Sequence, residues 1–266
     1  MPEIIINGIK TNYQIFGEGK PFLILHGWGS NSDRWAPIAE EISKGGPALR
    51  TSAELSRTPG VEGFKVIVPD LPGFGKSDAL SEPWDGNKYT TWLENFIKEL
   101  NFGEFYLMGH SFGGALAAKV AIKRAQEVKK LFLVSAACVR KKTTQKDFSK
   151  KASKIVKIFS FLPYYSFFRK AVYKFIIRKS DYVYVEGIMK ETYLNVIAED
   201  LSFKLAFVKV PTIIIWGDKD ESTPPEDARF IEKQIKNSKL IMIPGAAHDI
   251  NRKQPQIVVE KVLENI

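Results

Sequence analysis

Residues 105–124 admit few folds. Phe105-Tyr106-Leu107-Met108 reads as a buried strand, Gly109-His110-Ser111-Phe112-Gly113 as a sharp reversal, and Gly114 to Arg124 as an Ala-rich helix. This is a G-x-S-x-G pattern in the strand–turn–helix setting that gives it meaning. Glycines two before and two after the serine let the strand fold straight back into a helix. The turn forces Ser111 into a strained backbone conformation and pushes its Oγ out above the sheet. The helix N-terminus behind it favours negative charge arriving there. The small residues Gly114, Ala115, Ala117 and Ala118 let that helix pack close against the strand it has left.

The rest of the chain supplies the sheet such a unit needs. Glu3 to Ile6 and Lys10 to Phe16 are short β-type runs joined by Asn7-Gly8, a strong hairpin signal. Pro21 to Leu25 and Phe64 to Asp70 are continuous apolar runs, as are Lys130 to Ser135, Val210 to Trp216 and Lys239 to Ile243. Such runs suit strands buried on both faces. Helices are predicted over Ser32–Ser43, Thr90–Leu100, Pro225–Ile235 and Gln254–Glu264. Strands alternating with helices imply an α/β fold, a mostly parallel eight-stranded sheet with helices on both faces.

Two stretches break the alternation. Residues 47–63 lengthen a helix-to-strand connection that is ordinarily about 2–6 residues. Their Ser, Thr, Pro and Gly content reads as a surface insertion. Residues 137–207, after the sixth strand, are rich in Lys and aromatics and read as a helical subdomain, leaving residues 1–136 and 208–266 as the core. That insert holds fifteen Lys and Arg against six Asp and Glu, so the chain's whole net charge of +9 sits in it. Lys146, Lys150, Lys154 and Lys157 fall three or four apart, one face of a helix. A solvated face is one reading; a docking surface for an anionic lipid or an acidic partner is the other. Nucleic acid is the weaker option, since the aromatics look like core.

Composition sets the outer bounds. Hydrophobic residues make up 44% and mean hydropathy is −0.15, which suits a globular core. Neither a leader pattern nor an apolar run of membrane-spanning length is present, and the single cysteine, Cys138, reads as a small apolar filler at a strand end. These features fit a cytoplasmic protein. Asp70-Leu71-Pro72-Gly73-Phe74-Gly75-Lys76-Ser77 ends like a phosphate loop but lacks its spacing and its following helix.

A serine needs a base, the base an acid, and the developing oxyanion two N–H donors. Of three histidines, His110 adjoins Ser111 and points away, and His26 ends an inner strand. His248, in the loop Pro244-Gly245-Ala246-Ala247-His248 after the last strand, is best placed as base. In Trp216-Gly217-Asp218-Lys219-Asp220 either aspartate could serve; Asp220 is preferred, with Asp218 shaping the turn. The Phe112 N–H is one oxyanion donor and the Trp28 N–H, in His26-Gly27-Trp28-Gly29, the other.

With these motifs in order, the chain resembles the α/β-hydrolase superfamily along nearly its whole length. The resemblance implies Ser111, Asp220 and His248 as a catalytic triad, with His26, Gly27, Gly109 and Gly113 supporting it, and residues 137–207 as a cap over the site. It implies no cofactor and no metal. A serine at the elbow argues against dehalogenase and epoxide-hydrolase relatives, which carry aspartate there. Expected activity is hydrolysis of a carboxylic ester, small or with an acyl chain, through an acyl-enzyme, as in a carboxylesterase or lipase. Alternatives of the same fold are a carbon–carbon bond hydrolase, for which Arg169 or Arg178 could hold a substrate carboxylate, a cofactor-free haloperoxidase or perhydrolase, and a ligand-binding protein.

Overall fold

The computed structural model describes residues 2–45, 63–140 and 186–266. Expectations resting on residues 47–62, on the lysine face from Lys146 to Lys157, and on Arg169 and Arg178 lie outside the described residues. Eight strands form one sheet: β1 (Glu3–Ile6), β2 (Ile9–Phe16), β3 (Lys20–Leu25), β4 (Phe64–Pro69), β5 (Phe105–His110), β6 (Val128–Val134), β7 (Thr212–Gly217) and β8 (Ser238–Ile243). Their spatial order is β1-β2-β4-β3-β5-β6-β7-β8. The β1–β2 hairpin is antiparallel and the sheet mostly parallel, as the sequence predicts, and β2 also pairs antiparallel with β4.

The order contains one reversal of direction. From β3 the chain steps to β4 on one side, then crosses to β5 on the other side of β3. Crossovers leaving a sheet in opposite directions open a crevice at the carboxyl ends of those strands. The two turns singled out for chemistry, His26 to Gly29 after β3 and Ser111 after β5, border that crevice.

Helices cover both faces. Among the described residues, α1 (Ala36–Ser43) and the C-terminal α7 (Pro255–Leu263) pack together on one side, burying Ile38, Ile42, Val258 and Val262 against Phe22, Ile24, Val66 and Ile215. On the other side α2 (Gly86–Glu99) and α3 (Phe112–Lys123) bury Trp92, Phe96, Leu116 and Ala117 against Leu23, Leu107 and Leu133. Two further helices, α4 (Gly187–Ala198) and α5 (Pro225–Gln234), flank β7 in sequence, and a short α6 (Ile250–Lys253) follows the His248 loop.

Several boundaries differ from the sequence reading, each for a local reason. The helix expected from Ser32 is a 3-10 turn over Ser32–Arg34, and α1 starts only at Ala36. Asn31 caps that turn by accepting from the Arg34 N–H. Helix α2 begins at Gly86, not Thr90, because Asp85 caps it, accepting from the Asn87 and Lys88 N–H groups. Helix α3 begins immediately after Ser111, so the serine itself is its N-cap residue.

Candidate active site

Ser111 has φ 53° and ψ −117°, a conformation hostile to an L-residue. The surroundings hold it there. The Ser111 N–H donates to Val134 O, and its own carbonyl accepts from the Gly114 and Ala137 N–H groups. Both glycines of the motif are needed for space rather than for turn conformation. A Cβ on Gly109 would lie 2.2 Å from Gly113 O, and one on Gly113 2.3 Å from Leu25 O. Helix and strand are therefore in backbone contact, which aims the serine hydroxyl upward from the sheet edge.

His248 reaches it from the far side. Its Nε2 is 3.0 Å from Ser111 Oγ, and its Nδ1 is 2.8 Å from Asp220 Oδ2. Asp220 is buried, and it accepts from the Ser222 and Thr223 N–H groups on Oδ1 and from the Thr223 hydroxyl on Oδ2. Burial alone would raise this carboxyl's pKa. The hydrogen bonds from His248 and Thr223 outweigh burial and hold it below the ordinary carboxylate value. With an ionised acceptor at Nδ1, that nitrogen carries the proton and Nε2 is left free to accept from Ser111. Asp218 does what its alternative reading assigned to it: it accepts from the Gly245 N–H at 2.7 Å and ties the acid loop to the base loop.

Trp28 and Phe112, expected to supply the oxyanion donors, both lie beside the nucleophile. A Cβ on Gly27 would come within 3.2 Å of Ser111 Cβ, so the turn after β3 abuts the nucleophile. Trp28 and Phe112 have their rings 5.8 Å apart. Phe112 is the first residue of α3, where the N–H has no intrahelical acceptor. His26 locks this turn. Its Nδ1–H donates to Gly27 O and its Nε2 accepts from the Leu71 N–H, so both nitrogens are used in the neutral form. Burial lowers its pKa to about 4. The buried Asp70 carboxylate fixes the segment that follows, accepting from the Ser32 and Lys76 N–H groups and the Asn12 amide.

Three functional contacts escaped the sequence reading. His110, expected only to point away from Ser111, is buried and donates from Nε2 to His248 O at 2.9 Å, bracing the base loop; burial lowers its pKa to about 4. Thr223 bridges the acid and the base, its hydroxyl 3.2 Å from His248 Nδ1. Helix α4 walls the crevice: Tyr193 packs edge-on against Trp28, and Met189 lies against Gly73. The helix is pinned there by the Trp84 N–H donating to Thr192 Oγ1 and by an ion pair from Lys119 of α3 to Glu199. Cys138 is fully buried, its thiol pushed up to about 12 by burial, as expected of a filler.

With this geometry in hand, comparison with known proteins is informative. A family model described as "alpha/beta hydrolase fold" matches residues 20–176. Lipase 1 of Psychrobacter immobilis is 26% identical, across 92% of this chain and 76% of its own. A pimeloyl-[acyl-carrier protein] methyl ester esterase of Legionella pneumophila is 24% identical, across 88% and 89%. Among solved structures, the enol-lactonase from Burkholderia xenovorans superposes with a TM-score of 0.71 at 21% identity, over 99% of this chain and 98% of that one.

Proposed function

The chain belongs to the α/β-hydrolase fold family and is a hydrolase, and within that family we propose that it cleaves carboxylic esters through an acyl-enzyme on Ser111. The observation that carries this is the unbroken relay Ser111–His248–Asp220 at 3.0 and 2.8 Å.

His248 Nε2 takes the Ser111 proton as Oγ attacks the ester carbonyl carbon. The carbonyl π electrons move onto oxygen, where the Trp28 and Phe112 N–H groups stabilise the negative charge. The imidazolium is held by the Asp220 carboxylate on Nδ1. As the oxyanion collapses, the alkoxide leaves with the proton from His248 Nε2, and acyl remains on Oγ. Water then repeats the sequence, His248 taking its proton, and the carboxylic acid departs as Ser111 is restored. The walls from Trp28, Phe74, Met189 and Tyr193 are mostly apolar, which suits an acyl or alkoxy group without charge near the reacting carbon.

Hydrolysis of short 4-nitrophenyl esters, together with stoichiometric labelling by a fluorophosphonate, tests the proposal. Turnover with labelling that Ser111→Ala abolishes is the expected result. A protein inert to both reagents would instead be a ligand-binding member of the fold, and turnover surviving in Ser111→Ala would move the nucleophile elsewhere.

A further inference from the structure

Residues 201–208 form a tight turn just before β7. The Lys204 and Leu205 N–H groups both donate to Leu201 O, and the Phe207 N–H donates to Lys204 O. Leu201, Leu205 and Val208 are buried and anchor the turn to the core. The residues between them face outward, and two of these are phenylalanines: Phe203 is 81% exposed and Phe207 62%. Scattered exposed apolar residues are ordinary, but two aromatics four apart on one outward face form a patch. Exposed Ala206 lies between them. Exposed lysines interrupt and follow the pair, Lys204 and Lys209, and neither meets a carboxylate in an ion pair among the described residues. Helix α5, packed against this turn, adds exposed Arg229, Phe230 and Lys233 against one exposed acid, Glu226.

We propose that the Phe203–Phe207 turn docks this enzyme on an anionic lipid surface, the phenylalanines entering the headgroup boundary and Lys204 and Lys209 pairing with lipid phosphates. Apolar rings alone would not choose between occupants. Exposed lysines beside them do, because they match a surface that is both apolar and negative. The Phe203–Phe207 turn belongs to residues 137–207, which carry the chain's whole net charge of +9. The turn is also joined by backbone hydrogen bonds to the segment that supports Ser111. The turn starts where the Leu201 N–H donates to Cys138 O, and the neighbouring Ala137 N–H donates to Ser111 O.

Vesicle flotation of the full chain tests this, using phosphatidylcholine vesicles with and without phosphatidylglycerol. The wild type should float with the mixed vesicles, less with phosphatidylcholine alone, and less as salt rises. Phe203→Ser with Phe207→Ser should weaken partition by roughly tenfold per ring. Lys204→Glu with Lys209→Glu should remove the preference for the anionic lipid, each charge being worth roughly fivefold. All these side chains are exposed, so melting temperatures should stay at the wild-type value. Ser111→Ala should float like the wild type, which separates docking from the ester-hydrolase reading. The proposal is overturned if the wild type does not float with mixed vesicles, or if the double Phe variant floats equally well. It is also overturned if the wild type is a dimer that this variant dissociates, since a second copy then covers the patch.

Discussion

Ser111 contributes chemistry rather than packing, so Ser111→Ala should leave the melting temperature near wild type while kcat falls on the order of 10⁴-fold or more. The two aspartates of the acid loop should behave differently. Asp220→Asn removes the charge that fixes the His248 tautomer, and a loss of about 10⁴-fold in kcat is expected. Asp218→Asn only weakens the tie to Gly245 and should cost a few-fold at most; steady-state kinetics showing the reverse ranking would reassign the acid. His26 and His110 set an acid limit on stability. Both are buried and neutral, with folded pKa values depressed by burial from the ordinary 6.5 to about 4. Between those values the unfolded chain binds more protons than the folded one. The stabilising contribution is therefore complete above about pH 6.5 and lost as pH falls through 4, on the order of 3 kcal/mol per histidine. Thermal melts from pH 7 to pH 4 should show this decline, and His26→Gln should have a lower melting temperature at pH 7 but a flatter pH profile.

At the scale of elements, the junction of α2, α3 and α4 is the most exacting. Lys119 sits on α3 with its side chain only 6% exposed, and its ammonium donates to Glu199 Oε1 at 2.5 Å and to Asn87 Oδ1 at 2.9 Å. Burial lowers the Lys119 pKa, and the Glu199 carboxylate offsets part of that. A Cβ on Gly86 would fall 1.9 Å from Glu199 Oε2, so a larger residue at the start of α2 would push this carboxylate aside. Removing one partner of a buried pair leaves the other charge uncompensated. Glu199→Ala should destabilise by about 2–3 kcal/mol, and Lys119→Met added to it should recover most of that. Denaturant unfolding of the four-member cycle measures the coupling. Because Glu199 ends the helix that carries Tyr193 to Trp28, the single variant should also raise KM more than it lowers kcat.

For the whole molecule, topology places the chemistry and the sheet edges tolerate length. Strand reversal at β3 brings the turn after β3 and the elbow after β5 to one crevice, while the base arrives on the loop after β8, 137 residues beyond Ser111 in sequence. Residues 45 and 63 flank the insertion at the opposite, amino-terminal end of β4. Gly63 O accepts from the Lys20 N–H, and a Cβ on Gly63 would lie 3.0 Å from Ser43 O, so the two flanks already meet. Doubling a loop's length costs only about 0.6 kcal/mol, and shortening it should cost no more. A chain with residues 46–62 replaced by one or two glycines is expected to keep its melting temperature within a few degrees and its full ester turnover. An insoluble or inactive product would show that the insertion does more than connect.

Much of this molecule was legible in the sequence because the signals are local. Strand runs buried on both faces are continuously apolar, the Asn7-Gly8 hairpin declares itself, and Gly109-His110-Ser111-Phe112-Gly113 encodes its own strained turn. Chain order and loop position then singled out His248 and favoured Asp220. Local cues also misled at edges: the cap at Asp85 was there to be read, yet apolar periodicity pointed to Thr90. What only the tertiary structure decided is which distant groups meet. Asp218 and Asp220 are near-equivalent in sequence, and only the meeting of two loops assigns one to Gly245 and the other to His248. His110 becomes a brace, Lys119 an ion-pair partner, and Phe203 and Phe207 surface rings. Hydrophobic pattern and turn chemistry act over a few residues. Burial, and the pairing of charge that burial demands, are settled between segments far apart in the chain.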